Sequence, residues 1–273
     1  MSHNLSGLHI KRSTTQTAWT MKSMVSNDNY ELYYLISGHL HYLIGPSLYD
    51  VTPGDLVVVA PHQLHRSTAL RDTVHDRYIC KFPDDALRPF VSSLGQEAYD
   101  RFWRSGCIRL PSQISQRVFS DLKQLDKEAG QPGQYSVALC LHLLEDVILS
   151  ALLHGTPKAP VRGEIADKVQ ALAGYIAGNY AKPISLHEAA AMACMEDTHF
   201  SKRFKSIMGV GFLEYLTQIR LQAACQLLME TQLSISEVAE QCGFSSANYF
   251  GDVFRLRKGI SPYQYRKTRC SGL

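Results

Sequence analysis

The sequence predicts an α+β protein with more than one domain, and three observations support this. Between residues 30 and 82, short aromatic and β-branched runs alternate with turn-forming residues, which is typical of antiparallel strands. After Phe82 the apolar residues change to helical spacing. In the last third, residues recur at a separation of 50 positions, which indicates an internal repeat. We therefore expect an N-terminal antiparallel β-barrel followed by helices, and then an all-α domain.

The composition fits a folded chain that buries a full core. Its 273 residues are 45% hydrophobic and 19% charged, which excludes a disordered or fibrous chain and favours two domains. The formal charge of +3 is too small to indicate a nucleic-acid partner by itself. Met1 to Trp19 is polar and no apolar run reaches the roughly 18 residues of a membrane span. We therefore expect a cytoplasmic protein with no membrane partner.

Seven cysteines are spread along the chain without any Cys-x-x-Cys pair. An odd number at wide spacing favours reduced, mostly buried thiols over a disulfide framework or a metal clip. A reactive or sensing cysteine is the alternative, but no neighbouring residues in the sequence would lower a thiol pKa. The positions are Cys80, Cys107, Cys140, Cys194, Cys225, Cys242 and Cys270.

The predicted strands lie between turn formers such as Ser37-Gly38 and Pro53-Gly54-Asp55. Strands at this spacing favour a small antiparallel barrel or sandwich. The strand runs are Tyr30 to Ile36, His39 to Ile44, Leu48 to Val51, Leu56 to Ala60 and Arg77 to Phe82.

Three helices are predicted after the barrel, over Leu87 to Phe102, Ile114 to Glu128 and Tyr135 to Leu153. The apolar stripe of the last helix fits either packing on the barrel or a dimer interface, and the sequence does not decide between them. Residues 155–160 are polar and rich in proline, which predicts a linker. The predicted segments are 1–85 for the barrel, 86–153 for the helices and their dimerisation, 154–163 for the linker and 164–273 for the last domain.

The internal repeat has the layout of two helix-turn-helix units. Phe204 and Phe254, Gly209 and Gly259, and Tyr215 and Tyr265 are each separated by 50 positions. In each copy a serine three residues before a glutamate predicts a capping box, Ser185 with Glu188 and Ser234 with Glu237. The turn of the second copy has Gly243, whereas the first has Cys194, so we expect a strained or differently wound turn in the first copy.

The second helix of each unit is predicted to turn its phenylalanine pair inward and a polar face outward. These helices run from about Thr198 to Met208 and from Ala247 to Lys258, and a spacer helix over Phe212 to Glu230 joins the units. Nineteen residues of helix span about 28 Å, compatible with two major-groove segments about 34 Å apart. The candidate DNA contacts from this reasoning are Thr198, His199, Ser201, Lys202, Arg203 and Lys205 in the first unit, and Asn248, Asp252, Arg255 and Arg257 in the second.

These residues resemble the AraC/XylS family of bacterial regulators, most clearly in Ile235-Ser236-Glu237-Val238-Ala239, Gly243-Phe244, Asn248-Tyr249-Phe250 and Gly259 to Arg266. The resemblance implies an operator of double-stranded DNA, contact with RNA polymerase, a homodimer and activation of transcription. It places the base-reading positions on Thr198, Ser201 and Lys202 and on Asn248, Tyr249 and Asp252. Asp252 stands where the family often has a basic residue, and Lys258 where it usually has an apolar one. We therefore expect the second unit to read DNA weakly.

The N-terminal half is similar to the cupin-type sensor domain of that family. The similarity lies in Tyr30-Glu31-Leu32, Gly38, Pro53-Gly54-Asp55-Leu56, Pro61 and His65, and it implies a pocket for a small-molecule effector. Strand alternation places Glu31, Tyr33 and Tyr42 inward, where with His65 they could bind a polyol such as a sugar. The alternative for each tyrosine is an ordinary core residue.

The sequence provides few ligands for a metal-dependent cupin enzyme. The two histidines that would precede Glu31 are replaced in the segment from Val25 to Asn29. We therefore predict no metal, no cofactor and no catalytic residue. The alternatives are a cupin enzyme joined to a DNA-binding domain, and a regulator whose barrel only dimerises and needs no ligand.

Overall fold

The structure is a computed structural model that describes residues 7–15, 21, 24–70, 74–130 and 133–270. The chain divides into two compact units, residues 1–161 and 162–273. The predicted barrel, helical segment and most of the predicted linker therefore lie in a single unit, because the helices share a core with the strands.

In the described residues of the first compact unit there are nine antiparallel strands. They form a six-stranded sheet in the order β1-β7-β2-β5-β8-β9 and a three-stranded sheet in the order β4-β3-β6. The five predicted strands are confirmed to within two residues, whereas β1, β6, β8 and β9 were not predicted. The strands are β1 His9–Thr15, β2 Tyr30–Ser37, β3 Leu40–Ile44, β4 Ser47–Val51, β5 Asp55–Val59, β6 His65–Ala69, β7 His75–Phe82, β8 Cys107–Arg109 and β9 Thr156–Pro157.

The two sheets face each other across an inner core with residues such as Tyr33, Leu40, Val51 and Val57. Among the described strands no ladder joins the two sheets, so of the two predicted forms, an antiparallel barrel or a sandwich, the unit has the open sandwich. The other face of the larger sheet, with residues such as Leu32 and Tyr78, belongs to a second core shared with the helices. Side-chain alternation along each strand separates the two cores.

The outer core is closed by helices that follow the sheet. A short 3-10 turn, Asp84–Leu87, precedes α1, and Gly95 separates α1 from α2 where one helix was predicted. The backbone at Gly95 has a φ of 91°, which glycine adopts at little cost. The helices are α1 Arg88–Leu94, α2 Gln96–Arg104, α3 Ser112–Gly130 and α4 Ser136–His154.

Helix α4 has one buried face and one exposed face. Cys140, Leu144 and Ile148 are fully buried in the outer core, which agrees with the interpretation of α4 as a helix packed on the sheet. Leu149 and Leu153 are exposed. By length and apolar composition α4 could cross a membrane, contrary to the expectation from sequence, but a helix with one face in a protein core passes the same test.

The segment from Thr156 to Val161, which we call the strap, is bound to the sandwich. Thr156 and Pro157 pair with β8, and the Lys158 N–H donates to the Cys107 carbonyl at 2.8 Å. Its ammonium contacts the Asp55 carboxylate at 2.8 Å, and Val161 N–H donates to the carbonyl of Leu48 at 2.6 Å. This part of the predicted linker is therefore ordered, because a buried carboxylate and an open strand edge both bind it.

The part of the second compact unit that the structure describes consists of seven helices. The predicted second helices and the spacer correspond to α7, α10 and α8, and their bounds agree with the prediction to within one residue. The helices are α5 Glu164–Asn179, α6 Leu186–Met192, α7 Asp197–Met208, α8 Phe212–Glu230, α9 Ile235–Gln241, α10 Ala247–Lys258 and α11 Pro262–Cys270.

The spacer helix α8 is buried more widely than one apolar stripe. Its first half contacts the first helix-turn-helix unit, with the Phe212 ring 5.9 Å from that of Phe204. Its second half, including Ala224 and Leu228, shares a core with Phe250 and Phe254 of the second helix-turn-helix unit. A helix that packs against both units holds α7 and α10 in a fixed relation within this domain.

The capping boxes and turns follow the predicted pattern. Both boxes are present. The hydroxyls of Ser185 and Ser234 each accept from the N–H of the glutamate three residues later, and the carboxylate of that glutamate accepts from the serine N–H. Gly243 has a φ of 77° and Cys194 a φ of 55°. Both turns are thus left-handed, and the first adopts this conformation with a side chain that disfavours it.

Candidate nucleic-acid interface and interior polar cluster

Helix α7 presents a continuous polar face. Phe200 and Phe204 are fully buried, and their rings lie 5.4 Å apart, which fixes the rotation of the helix. All six candidate contact residues of this unit are exposed: Thr198, His199, Ser201, Lys202, Arg203 and Lys205. Arg203 Nε donates to His199 Nε2 at 3.2 Å. The helix therefore offers hydroxyl and cationic groups that can read bases and hold phosphates.

A shallow open depression of about 310 Å³ lies on this face. Thr198, Ser201 and Lys202 of α7 line it together with Asp197, and Leu186 of α6 completes the wall. His187 Nδ1 lies 3.1 Å from an oxygen of Asp197. Sequence reasoning missed Asp197, which begins α7 directly before Thr198, and Leu186, which reaches the base-reading residues because α6 packs against α7.

Helix α10 presents the matching face of the second unit. Phe250 and Phe254 are fully buried, and the candidate residues Asn248, Tyr249, Asp252, Arg255 and Arg257 are exposed. The Ser246 hydroxyl accepts from the N–H of Tyr249 and caps the helix, a role that sequence reasoning did not assign. Within the described part of the chain Asp252 makes no ion pair. Its carboxylate is therefore exposed on the outward face of α10.

Two of the basic residues near this face have contacts inside the domain. Arg257 Nη2 donates to Glu214 Oε1 of α8 at 3.1 Å, and Arg266 Nε donates to the carbonyl of Leu228. Arg257 thus connects α10 to the spacer helix, a contact that competes with its predicted role on phosphate. Arg255 remains exposed on the outward side.

The four predicted ligand-binding residues meet inside the sandwich. The Tyr42 hydroxyl donates to Glu31 Oε1 at 3.1 Å, and Lys81 Nζ lies 2.9 Å from Glu31 Oε2. Burial, more than the nearby carboxylate, raises the pKa of Tyr42 well above its usual value, so the phenol is a hydrogen-bond donor. Strand alternation predicted that Glu31 and Tyr42 point inward, and the structure places them together, whereas Lys81 was not predicted.

His65 faces the same carboxylate. Its Nδ1 lies 2.9 Å from the Gln63 carbonyl oxygen, which can only accept, so Nδ1 carries a proton. Its Nε2 lies 3.7 Å from Glu31 Oε2, too far for a direct hydrogen bond. The two buried groups therefore face each other without a direct hydrogen bond.

Tyr33 completes the cluster. Its ring lies 5.1 Å from that of Tyr42 and carries the Arg77 guanidinium 5.8 Å from its centroid. The side chain is 2% exposed, yet within the described residues its hydroxyl has no hydrogen-bond partner. A buried hydroxyl of this kind costs stability unless a partner arrives.

Five of the cysteines whose side chains are described lie in the interior, and one lies at the surface. Cys80, Cys107, Cys140, Cys225 and Cys242 are buried free thiols, and burial raises the pKa of each. Cys194 is free and exposed, and the side chain of Cys270 lies outside the described residues. No three His, Cys, Asp or Glu side chains come together as a metal site in the part of the chain described.

One family of known proteins matches part of the C-terminal compact unit. A family model described as a helix-turn-helix domain matches residues 189–268. This range contains both candidate recognition helices and the spacer between them. The matched residues therefore coincide with the candidate interface.

Several regulators are similar to longer parts of the chain. The transcriptional activator RhaR of Pectobacterium atrosepticum is 28% identical over 231 residues, which cover 80% of this chain and 77% of that protein. The arabinose operon regulatory protein of Salmonella typhimurium is 28% identical over 168 residues, which cover 60% of this chain and 58% of that protein. The solved DNA-binding domain of AdpA, in complex with a target DNA, is 31% identical over 36% of this chain and 88% of that chain, with a TM-score of 0.35.

Proposed function

Because the chain belongs to the AraC/XylS family of bacterial transcription regulators, we propose that it binds specific operator DNA and adjusts transcription in response to a small molecule. One observation carries the DNA-binding part. In each of two helices a buried phenylalanine pair fixes which side faces the core, so that a polar face is exposed. The spacer helix that joins them packs against both helix-turn-helix units. The position of the charged groups matters more here than the net charge of +3.

The two faces are expected to contribute unequally. Thr198, Ser201 and Lys202 combine two hydroxyls with a cation, whereas Asp252 puts a carboxylate in the second face. A carboxylate repels phosphate, although it can accept a hydrogen bond from cytosine N4. The first unit accordingly carries most of the base recognition, and the second mainly positions the protein.

The test of this part is selection of DNA sequences by the full-length protein from a random pool. Recovery of one motif, bound at least 1000-fold more tightly than competitor DNA, is the expected result for a specific regulator. Recovery of no motif, with binding of equal strength to every sequence, would contradict the proposal. The salt concentration must be held constant, because phosphate contacts make affinity depend steeply on it.

We propose that the effector binds at the interior cluster and is a carbohydrate. Glu31 accepts hydrogen bonds, His65 Nε2 faces its carboxylate, and the Tyr33 hydroxyl has no hydrogen-bond partner among the described residues. Sugar hydroxyls both donate and accept, so they suit this mixture, and the tyrosine rings suit the apolar face of a sugar. Binding would then shift the protein between states that differ in the operator half-sites they span.

A thermal-shift screen of neutral sugars, followed by calorimetric titration, tests the effector. Tyr33→Phe is the informative variant, because removing an unpartnered hydroxyl leaves the melting temperature of the free protein unchanged or higher. We expect the variant to lose affinity for the sugar that the natural protein binds. If none binds, the weight moves to the alternative in which the sandwich needs no ligand and serves only for dimerisation.

The remaining parts of the proposal concern assembly and site of action. The exposed leucines of α4, Leu149 and Leu153, support a homodimer through this helix. Binding to an operator in the cytoplasm and contact with RNA polymerase, so that transcription is activated, complete the proposed role. Sedimentation of the full chain, compared with Leu149→Glu, tests the dimer, and a reporter gene distinguishes activation from repression.

A further inference from the structure

The depression on the first recognition face has a chemistry that points to one kind of base. Thr198 and Ser201 lie one helical turn apart on α7, and Leu186 reaches the same depression from α6. The leucine side chain and the threonine methyl group give the wall apolar surface in the middle of a polar face. In the major groove, the apolar group that projects from a base edge is the 5-methyl group of thymine.

We propose that the first unit recognises one thymine of its operator half-site, and that the 5-methyl group of this thymine occupies the Leu186 depression. The inference rests on the proposed function, since it assumes that α7 enters the major groove. It names the base and the group on it that the unit reads.

The rim of the depression adds a second discrimination. Lys202 lines it and carries an ammonium group that only donates hydrogen bonds. Thymine presents O4, an acceptor, beside its methyl group, whereas cytosine presents an N4 amino donor at that place. Lys202 therefore favours thymine over cytosine even when the cytosine carries a 5-methyl group.

The carboxylate at the rim is held by a neighbour. Asp197 lines the depression and has its Oδ1 3.1 Å from Nδ1 of His187. A carboxylate turned to this histidine is not needed for either thymine contact. The methyl contact of Leu186 and the O4 contact of Lys202 are therefore independent of Asp197.

The second unit provides an internal control, since the repeat aligns its residues with those of the first. Ile235 corresponds to Leu186, while Gly251 and Asp252 stand where the first unit has Ser201 and Lys202. Glycine supplies no side chain to line a depression, and aspartate cannot donate to O4. The thymine effect is therefore expected in one half-site only.

The test uses the selected operator and the natural full-length protein, titrated by fluorescence anisotropy. Each thymine is replaced singly by uracil, which lacks only the methyl group. We expect one position in the half-site of the first unit to lose about fourfold in affinity, the value of burying one methyl group. At that position 5-methylcytosine keeps the methyl group but loses the O4 acceptor, so it binds more weakly than thymine and more tightly than cytosine.

Two variants assign the effects to residues. Leu186→Ala abolishes the difference between thymine and uracil, while Ile235→Ala at the matched position of the second unit preserves it. The melting temperature of each variant verifies that it is folded. If uracil is tolerated at every thymine by the natural protein, the inference is wrong although specific binding persists. If no operator is selected at all, the proposed function itself fails.

Discussion

At the scale of single residues, the two turns of the repeat differ by one side chain. Gly243 and Cys194 both have left-handed backbones, but a Cβ at Gly243 would lie 2.6 Å from the carbonyl oxygen of Ala181. Only glycine fits there. At Cys194 a side chain fits, and the backbone carries the strain instead.

Replacing Cys194 by glycine is expected to stabilise the compact unit of residues 162–273. The left-handed conformation disfavours a side chain by about 1–2 kcal/mol, and the greater unfolded-state freedom of glycine offsets part of this gain. A net increase of up to about 1 kcal/mol should appear in the midpoint of urea unfolding. Gly243→Ala is the opposite control and must be destabilising. A less stable Cys194→Gly variant would show that the cysteine side chain makes packing contacts that outweigh the strain.

Substitution of the charged residues on the two faces separates their roles. Lys202→Ala removes a cation from the first face, so affinity for the operator should fall by about 1–3 kcal/mol and discrimination between bases should relax. Asp252→Ala removes a charge that repels phosphate, so affinity should stay equal or rise. Anisotropy titration of both variants at one salt concentration measures this. Loss of specific binding in Asp252→Ala would contradict the account of the second unit.

The sequence predicted the residues whose position follows from local rules. The phenylalanine pairs, the serine caps and the glycine stops depend on helical spacing and on backbone geometry. Leu186 could not be predicted as part of the interface, because an apolar residue at the start of a helix is usually a core residue. Its place beside Thr198 is decided by the packing of α6 against α7.

At the scale of elements, α3 and α4 share a pair of carboxyl groups. Burial, and then the hydrogen bond with Asp146, raises the pKa of Asp121 to about 6. Arg117 donates two hydrogen bonds, of 2.9 and 2.7 Å, to the Asp146 carboxylate. Asp121 is thus the member of the pair that holds the proton.

This pair predicts that the stability of the compact unit of residues 1–161 depends on pH. The pKa of Asp121 is raised on folding, so the folded state binds the proton more tightly and stability falls as pH rises from about 4 to about 6. Asp121→Asn keeps a hydrogen-bond donor without a titrating group. The difference in melting temperature between variant and natural protein should therefore increase across this interval. A constant difference would show that Asp121 titrates normally.

Two of the unpredicted strands, β6 and β1, have sequences that do not show the usual strand pattern. β6 directs His65 and Ser67 into the polar part of the inner core, so its sequence lacks the alternation of apolar and polar residues on which strand prediction depends. β1 is an edge strand whose exposed positions include Lys11 and Arg12, and charged residues are common at sheet edges. The sandwich was predictable, but its full complement of strands was not.

At the scale of the whole molecule, the strap ties the carboxyl end of the first unit to its sheets. Asp55 is fully buried and has two cationic partners, Arg109 at 2.9 Å and Lys158 at 2.8 Å. The sequence predicted a linker because prolines and polar residues are common in linkers. It could not show that Lys158 neutralises a charge contributed by a distant strand.

Removing the Lys158 charge is expected to release the strap. Breaking a buried ion pair costs about 3–5 kcal/mol, and because Arg109 remains, we expect Lys158→Met to cost less than that range. Hydrogen exchange at the amides of Lys158 and Val161 should accelerate. Lys168→Met is a control, since its pair with Glu164 is on the surface and should change little. Unchanged exchange in Lys158→Met would show that the backbone hydrogen bonds suffice.

The strap also decides where the chain can be divided. A fragment that ends at Leu153, where the last predicted helix before the linker ends, would lack the two-residue partner of β8 and leave Asp55 with Arg109 as its remaining cation. A fragment that ends at Val161 retains both, so we expect this longer fragment to fold alone and to keep the proposed binding of an effector. Fusions, deletions and domain exchanges with related regulators should therefore join after Val161, where the compact unit ends.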